Sequence, residues 1–348
     1  MNRLAVATYT MALVLVSGAQ TSFAEEGDSV DKAREALAKQ DTDATQEKSL
    51  EEVFEATENK YSLIKEGDTA FNYGFSYSYV ADQRLNVQIA NGTVRAFDVN
   101  PSASHSFSNN FSVDYGFKNN LTLGATIPFV VKYDTTDNIA GAGLGDVSFS
   151  ARWQPYVYVP GEMSKTVTGS FKTTTGDSPY KTISGRRLST GSGYYSFGGG
   201  MSVSKVIDPV MLFGSYSVNY NLPVEDVNQV RDGALLERVD PGYGFGFSGG
   251  FAYSLSYDVS LSMSFQGSYN DKTTYQFRSS SGTTNKVVSR ASMSGIMNFS
   301  LGVRVSPKTI TNVGVGFGMT EDSPDILLSL SMPIDANGLK AKFLPAGA

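Results

Sequence analysis

The chain has 348 residues, of which 12% are aromatic and only 18% charged, with 35 glycines and a formal net charge of −6 at pH 7. With no cysteine and one histidine, it excludes a disulfide framework, a Cys-ligated zinc site, a thiol nucleophile and any His-pair metal centre. Ordinary soluble domains carry roughly 25% charged residues, so this balance speaks against a cytoplasmic enzyme.

Residues 1–24 begin with Arg3 in a short basic start. An apolar run follows from Leu4 to Val16, and Ser22 and Ala24 stand at the minus-three and minus-one positions of a small-residue end. The pattern predicts a cleaved secretory signal, because 13 apolar residues fall short of the roughly 20 that a helical span needs. Residues 25–68 hold 14 acidic and six basic residues and only Phe54 and Tyr61 as aromatics. Val30, Ala33 and Leu37 fall at helical spacing, as do Leu50 and Phe54, but the stripe is short and the stretch 41–45 interrupts it. Three readings stay open for this acidic leader: a mobile periplasmic segment, a plug in a larger cavity, or one strand of a coiled coil joining three copies through residues 28–60.

From residue 69 the charge falls to nearly zero and period-two alternation takes over. In the run from Thr69 to Val80, Phe71, Tyr73, Phe75, Tyr77 and Tyr79 alternate with Asn72, Gly74, Ser76 and Ser78. Such a run is a two-faced strand. The pattern returns at 107–115, 121–129, 147–153, 167–171, 195–203, 212–220 with its parity switched, 243–253, 259–269, 293–303, 313–319 and 326–332. That makes twelve strands over 69–334, followed by a tail at 335–348.

A soluble sandwich would turn its second face to water and dress it with Lys, Glu and Thr. Here that face is Ser, Gly, Asn and Thr; residues 254–269 place serine at nearly every alternate position. An apolar face toward lipid and small polar groups toward a solvated interior fit this better. Backbone groups in hydrocarbon must all be paired, so with no further apolar run of 18 residues the sheet has to close. Joins alternate accordingly. Short ones fall at 117–120, 157–164, 206–209, 256–258 and 306–309, and long ones at 81–102, 132–144, 176–191, 222–240 and 271–289, with 321–325 a short last loop. The predicted fold is all-β: a twelve-stranded antiparallel up-and-down barrel in the bacterial outer membrane, with leader and tail on the periplasmic side.

The runs at 143–156, 173–180, 188–200 and 312–325 resemble the outer-membrane barrel transporter family of the phenol-degradation MetA-pathway type, over roughly residues 60–334. The layout, with its helical leader, is also similar to that of the twelve-stranded barrel that exports functional-amyloid subunits in pseudomonads. The first resemblance implies a channel for small solutes and the second an export path for an unfolded polypeptide. A structural or adhesive barrel without flux is the reading from another class. The chain departs from many outer-membrane barrels in running sixteen residues beyond Met332 instead of closing on a terminal aromatic.

No catalytic, cofactor or metal residues are expected, and no nucleic-acid partner; the expected partners are membrane lipid and the transported solute or polypeptide. His105, the one available base, falls by parity on the lipid face beside Phe107. Asp177 and Asp322, each before Ser-Pro, suit turn starts, and the glycines at 141, 143 and 145 suit a bulge in a strand. Face counting leaves six charges for the lumen: Asp114, Asp146, Arg152, Lys172, Arg290 and Arg304. Charge is tolerated in a lumen and costly against lipid.

Overall fold

A computed structural model describes residues 63–334, apart from 91–92, 136, 158, 160, 182–186, 232–233, 257, 280–281 and 307–308; of 82–102 and 231 it describes the backbone alone. The expected signal, the leader up to residue 62 with its stretch 28–60, and the tail at 335–348 lie outside the described residues.

The strands are β1 (Thr69–Ala90), β2 (Thr93–Lys118), β3 (Leu121–Asp134), β4 (Ile139–Leu144), β5 (Ser148–Trp153) and β6 (Ser164–Lys172). They continue with β7 (Ser196–Ile207), β8 (Val210–Asn221), β9 (Gln229–Arg231), β10 (Ala234–Asp240), β11 (Gly244–Ser254) and β12 (Val259–Asn270). The last are β13 (Thr274–Arg278), β14 (Thr284–Val288), β15 (Ser292–Ser306), β16 (Thr309–Gly318) and β17 (Ile326–Ile334). No α-helix occurs among the described residues.

Sequence neighbours pair antiparallel around the sheet, and β1 closes it on β17 from Phe71↔Ile334 to Tyr79↔Ile326. β4 and β5 are two halves of one wall strand, both paired to β3. The described strands therefore form a closed twelve-stranded antiparallel barrel, in which β4 has a neighbour strand on one side only.

Alternation fixes which side each residue takes. On β11 the outward Phe245, Phe247, Phe251 and Tyr253 are exposed, while the alternating Gly246, Ser248 and Ala252 point in. β8 runs in the opposite phase, with Leu212, Tyr216, Val218 and Tyr220 outward, as its switched parity predicts. Outward aromatics are packed on one another across strands: Tyr73 on Phe111 at 5.4 Å and Phe171 on Phe197 at 4.9 Å between ring centres. Such cross-strand pairs pin the register.

The long joins correct the sequence reading, which left them as loops. β1 and β2 stay paired to Ala90↔Thr93, far past the last pairings to β17 and β3, so residues 81–90 and 93–103 form a two-stranded ribbon standing out from the barrel. The joins at 222–240 and 271–289 contribute β9, β10, β13 and β14 to a separate four-stranded sheet. Val227, Leu236 and Val239 are buried in it, with Tyr180, Val224, Tyr275 and Phe277 packed around them. Of these short strands only β10 and β13 give apolar residues to the common core, two each (Leu236 and Val239, Tyr275 and Phe277), too few to register as alternation within either. By contrast the turns at the other end are short: Asn119–Asn120 and Asp208–Pro209 each join two strands directly.

Candidate functional site: the lumen

The interior is built from the small residues of twelve alternating strands. Ser112 and Thr126 share a hydrogen bond of 2.9 Å across β2 and β3, and Ser215 and Ser248 one of 2.7 Å across β8 and β11. A cavity of about 420 Å³ lies against this wall, lined by Ser148, Ser150, Thr168 and Ser170 and bounded by Asp114 and Arg152.

At the turn end the inward positions are buried. Arg152 on β5 and Asp114 on β2 form an ion pair of 2.8 Å, their side chains 9% and 11% exposed. Gly124 on β3 makes room for it, since a β-carbon there would meet the Asp114 carboxylate and the Ser150 hydroxyl. Thr122, Thr166, Ser202 and Ser260 are buried in the same layers, and Met211, Phe213 and Ala252 form an apolar cluster on the wall of β8 and β11. Arg304 on β15 is also turned inward, with a side chain 7% exposed and its Nε 3.8 Å from Asp258.

The chain before β1 takes part in this filling. Asp68 N–H donates to the Lys65 carbonyl at 3.0 Å, with Gly67 at φ 82° between them, a tight turn that needs glycine at its third position. The turn sends the preceding residues back along the inner wall. There the Ile64 N–H donates to the hydroxyl of fully buried Thr122 at 2.9 Å. The Lys65 carbonyl lies against Gly116, where any β-carbon would collide with it.

The loop end is arranged differently, around a break in the wall. β4 and β5 are interrupted at Gly145–Val147, opposite Pro128 of β3, which has no N–H to contribute to a ladder. Above the break β4 has no strand on its second side. The join between β6 and β7 folds against that edge and supplies side-chain donors in place of a ladder. Thr190 Oγ1 donates to the Leu144 carbonyl at 2.7 Å, and Arg187 Nη2 to the Ala142 carbonyl at 2.7 Å while pairing with Asp177 at 2.9 Å. Gly141 lets the Leu188 carbonyl approach. Asp146, in the break itself, accepts from Gly176 N at 3.1 Å, Ser192 N at 2.7 Å and Ser192 Oγ at 2.6 Å.

Lys172, the last residue of β6, points into the lumen with its ammonium 4.6 Å from the centre of the Tyr194 ring. Lys132 on β3 is a second inward ammonium that the sequence reading passed over, because residue 132 was assigned to a loop. The alternation runs on through Val131 and Tyr133, a signal that would have found it. On the same join, burial and the neighbouring Tyr275 raise the phenol pKa of Tyr180, and burial and nearby Asp146 raise that of Tyr194.

Of the six charges expected in the lumen, Asp114 and Arg152 come together as a pair, while Arg304 and Lys172 face inward apart from it. Asp146 sits in the wall break, held by the join. Arg290 is a correction: it lies after β14, outside the barrel strands, 74% exposed and paired at 2.6 Å with Asp322 at the rim. The residue precedes Ser292, where β15 begins, so face parity had no strand to act on. Asp322 also accepts from Met293 N at 2.9 Å, and both Asp residues of the Asp-Ser-Pro sequences thus tie loops down. His105 stands on the outward face, its Nδ1 2.9 Å from the Tyr77 hydroxyl and its ring between Tyr77, Tyr79 and Tyr133. That is an aromatic girdle position. Among the described residues no cluster of metal-ligating side chains occurs.

No family model matches the sequence. Among solved structures, the COG4313 outer membrane channel from Pseudomonas putida F1 superposes with a TM-score of 0.59 at 15% identity, over 79% of this chain and 97% of that one. The fold is that of an outer-membrane barrel. Looser likenesses are a TodX monoaromatic hydrocarbon channel mutant, with a TM-score of 0.42 at 9% identity over 78% of this chain and 90% of that one, and the KdgM porin, with 0.39 at 10% over 76% and 98%.

Proposed function

We propose that the chain is a channel of the Gram-negative outer membrane that passes small polar solutes along its lumen, with the turn end, leader and tail on the periplasmic side. The observation that carries this reading is the two-sided wall. Twelve closed strands present aromatics outward and hydroxyls inward, and a cavity of about 420 Å³ lies on the inner side. A purely structural barrel has no need of a hydroxyl-lined cavity with an ion pair at its floor. The motif runs that resemble the MetA-pathway type support the same reading, since residues 143–156 and 188–200 build the wall break and the join that covers it.

The leader is the gate in this reading. Support comes from its last residues, which turn back into the lumen and bond to Thr122. Export of an unfolded polypeptide would need the buried layers at the turn end to clear, so small solutes fit the interior better. Association of three copies through residues 28–60 is the third part of the proposal, and cross-linking that yields monomers alone would remove it. The test of the whole is planar-bilayer recording on the full chain. Discrete current steps are expected, and a silent membrane, with folded protein inserted, would favour a barrel without flux.

A further inference from the structure

Charge in the lumen is distributed unevenly along its axis. At the turn end Arg152 is neutralised by Asp114 at 2.8 Å. Nearer the loop end stand two ammonium groups, Lys132 and Lys172, both near enough to Asp146 to feel its charge. Neither forms an ion pair among the described residues. Asp146 is a single carboxylate already engaged by two backbone N–H groups and one hydroxyl of the covering join. The other anion nearby is Asp134, the next inward position above Lys132. It is buried and accepts from its own turn, from Asp137 N at 3.2 Å, and from Ser104 Oγ at 3.4 Å. Asp177 is matched by Arg187. Two ammonium groups thus stand in the lumen without an ion pair among the described residues, while the carboxylates near them, Asp146 and Asp134, are already engaged by hydrogen-bond donors of the wall and its joins.

Position relates these two ammonium groups to the cavity. Lys172 is paired in register with Ser148 and is the next inward residue after Ser170, both of which line the cavity. Arg152 lies four residues below Ser148 on the same strand, about 13 Å of extended chain. Between them the lining groups are hydroxyls, which both donate and accept. A solute entering from the loop end therefore passes Lys132, reaches Lys172 and then faces hydroxyls.

We propose that Lys132 and Lys172 form an anion-selecting step above the cavity, and that the solute is a small hydroxylated carboxylate, its carboxylate met by the lysines and its hydroxyls by Ser148, Ser150, Thr168 and Ser170. This rests on the reading of the lumen as a solute path, but binding is read without current, so the two can fail separately. Tyr194 holds the Lys172 ammonium over its ring, which keeps the cation in the lumen without neutralising it.

The experiment is calorimetric titration of the folded full chain in detergent with three ligands: sodium gluconate, the sugar alcohol sorbitol, which has the hydroxyls without the charge, and sodium hexanoate, which has the charge without the hydroxyls. Gluconate is expected to bind about tenfold more tightly than either, with the advantage over sorbitol shrinking as KCl is raised. K132Q/K172Q should abolish that advantage and K132R/K172R keep it, with heat-modifiable gel migration verifying that each barrel is folded. Should the glutamine pair fail to fold, the three-ligand comparison on the unmodified chain decides. Gluconate no tighter than sorbitol, or a glutamine pair that binds as the unmodified chain does, overturns the anion step; hexanoate as tight as gluconate overturns the solute class.

Discussion

The two ends of the lumen meet the same demand, a polar interior inside an apolar shell, with different means. At the turn end, inward residues from all sides are buried, the charges are paired, and the chain before β1 fills space against Gly116 and Thr122. At the loop end the wall is interrupted, its edge is satisfied by side chains of a folded-in join, and two lysines face the lumen without an ion pair among the described residues. Packing and pairing fill one end. On the proposed reading the other end keeps two ammonium groups available for a solute, and its open edge is held by hydrogen bonds from a join.

The largest difference should appear on removing charge. Asp114→Ala leaves the buried Arg152 guanidinium beside an empty site, and urea unfolding of the liposome-inserted barrel should show a loss of about 3 kcal/mol. Asp114→Ala combined with Arg152→Met should recover most of that loss, because the desolvated cation is gone. Lys172→Gln, at the other end, should change stability by less than about 0.5 kcal/mol. Equal losses at both ends would erase the distinction.

Gly116→Val comes next. Its side chain must displace the Lys65 carbonyl and with it the re-entrant residues, so bilayer recordings should show larger or more frequent current steps than the unmodified chain gives. Steps unchanged in size and frequency would mean that those residues do not limit flow. A smaller effect is expected from Thr190→Val, which deletes the hydroxyl between the Leu144 carbonyl and the Asp177 N–H, 3.0 Å away. About 1 kcal/mol of local stability should be lost, read as faster hydrogen exchange at the Asp177 amide while barrel amides stay protected.

The barrel was legible in the sequence because period-two alternation is a local signal repeated twelve times, and even the reversed phase of β8 could be read from Leu212, Tyr216 and Val218. Strand parity likewise placed Asp114, Arg152, Lys172 and Arg304 inward and His105 outward. What parity could not give was anything that depends on where a strand stops. Lys132 was passed over because β3 runs beyond Phe129, and Arg290 was put inside because β15 begins only at Ser292. The four-stranded sheet gathers residues from two joins, and Tyr180 from a third, around Val239; contacts that distant in sequence leave no pattern in any one segment. The partnership of Thr190 with Leu144 is of the same kind.

The central claim is that the aromatic side of the strands faces hydrocarbon. Trp153, the single tryptophan of the chain, reports on it without mutation: it stands outward on β5 and is 47% exposed in the absence of lipid. Fluorescence of the folded protein in liposomes made with brominated lipids should be blue-shifted and strongly quenched by the bromines, while aqueous iodide leaves it almost untouched. Emission quenched by iodide and indifferent to brominated lipid would place that face in water and contradict the account.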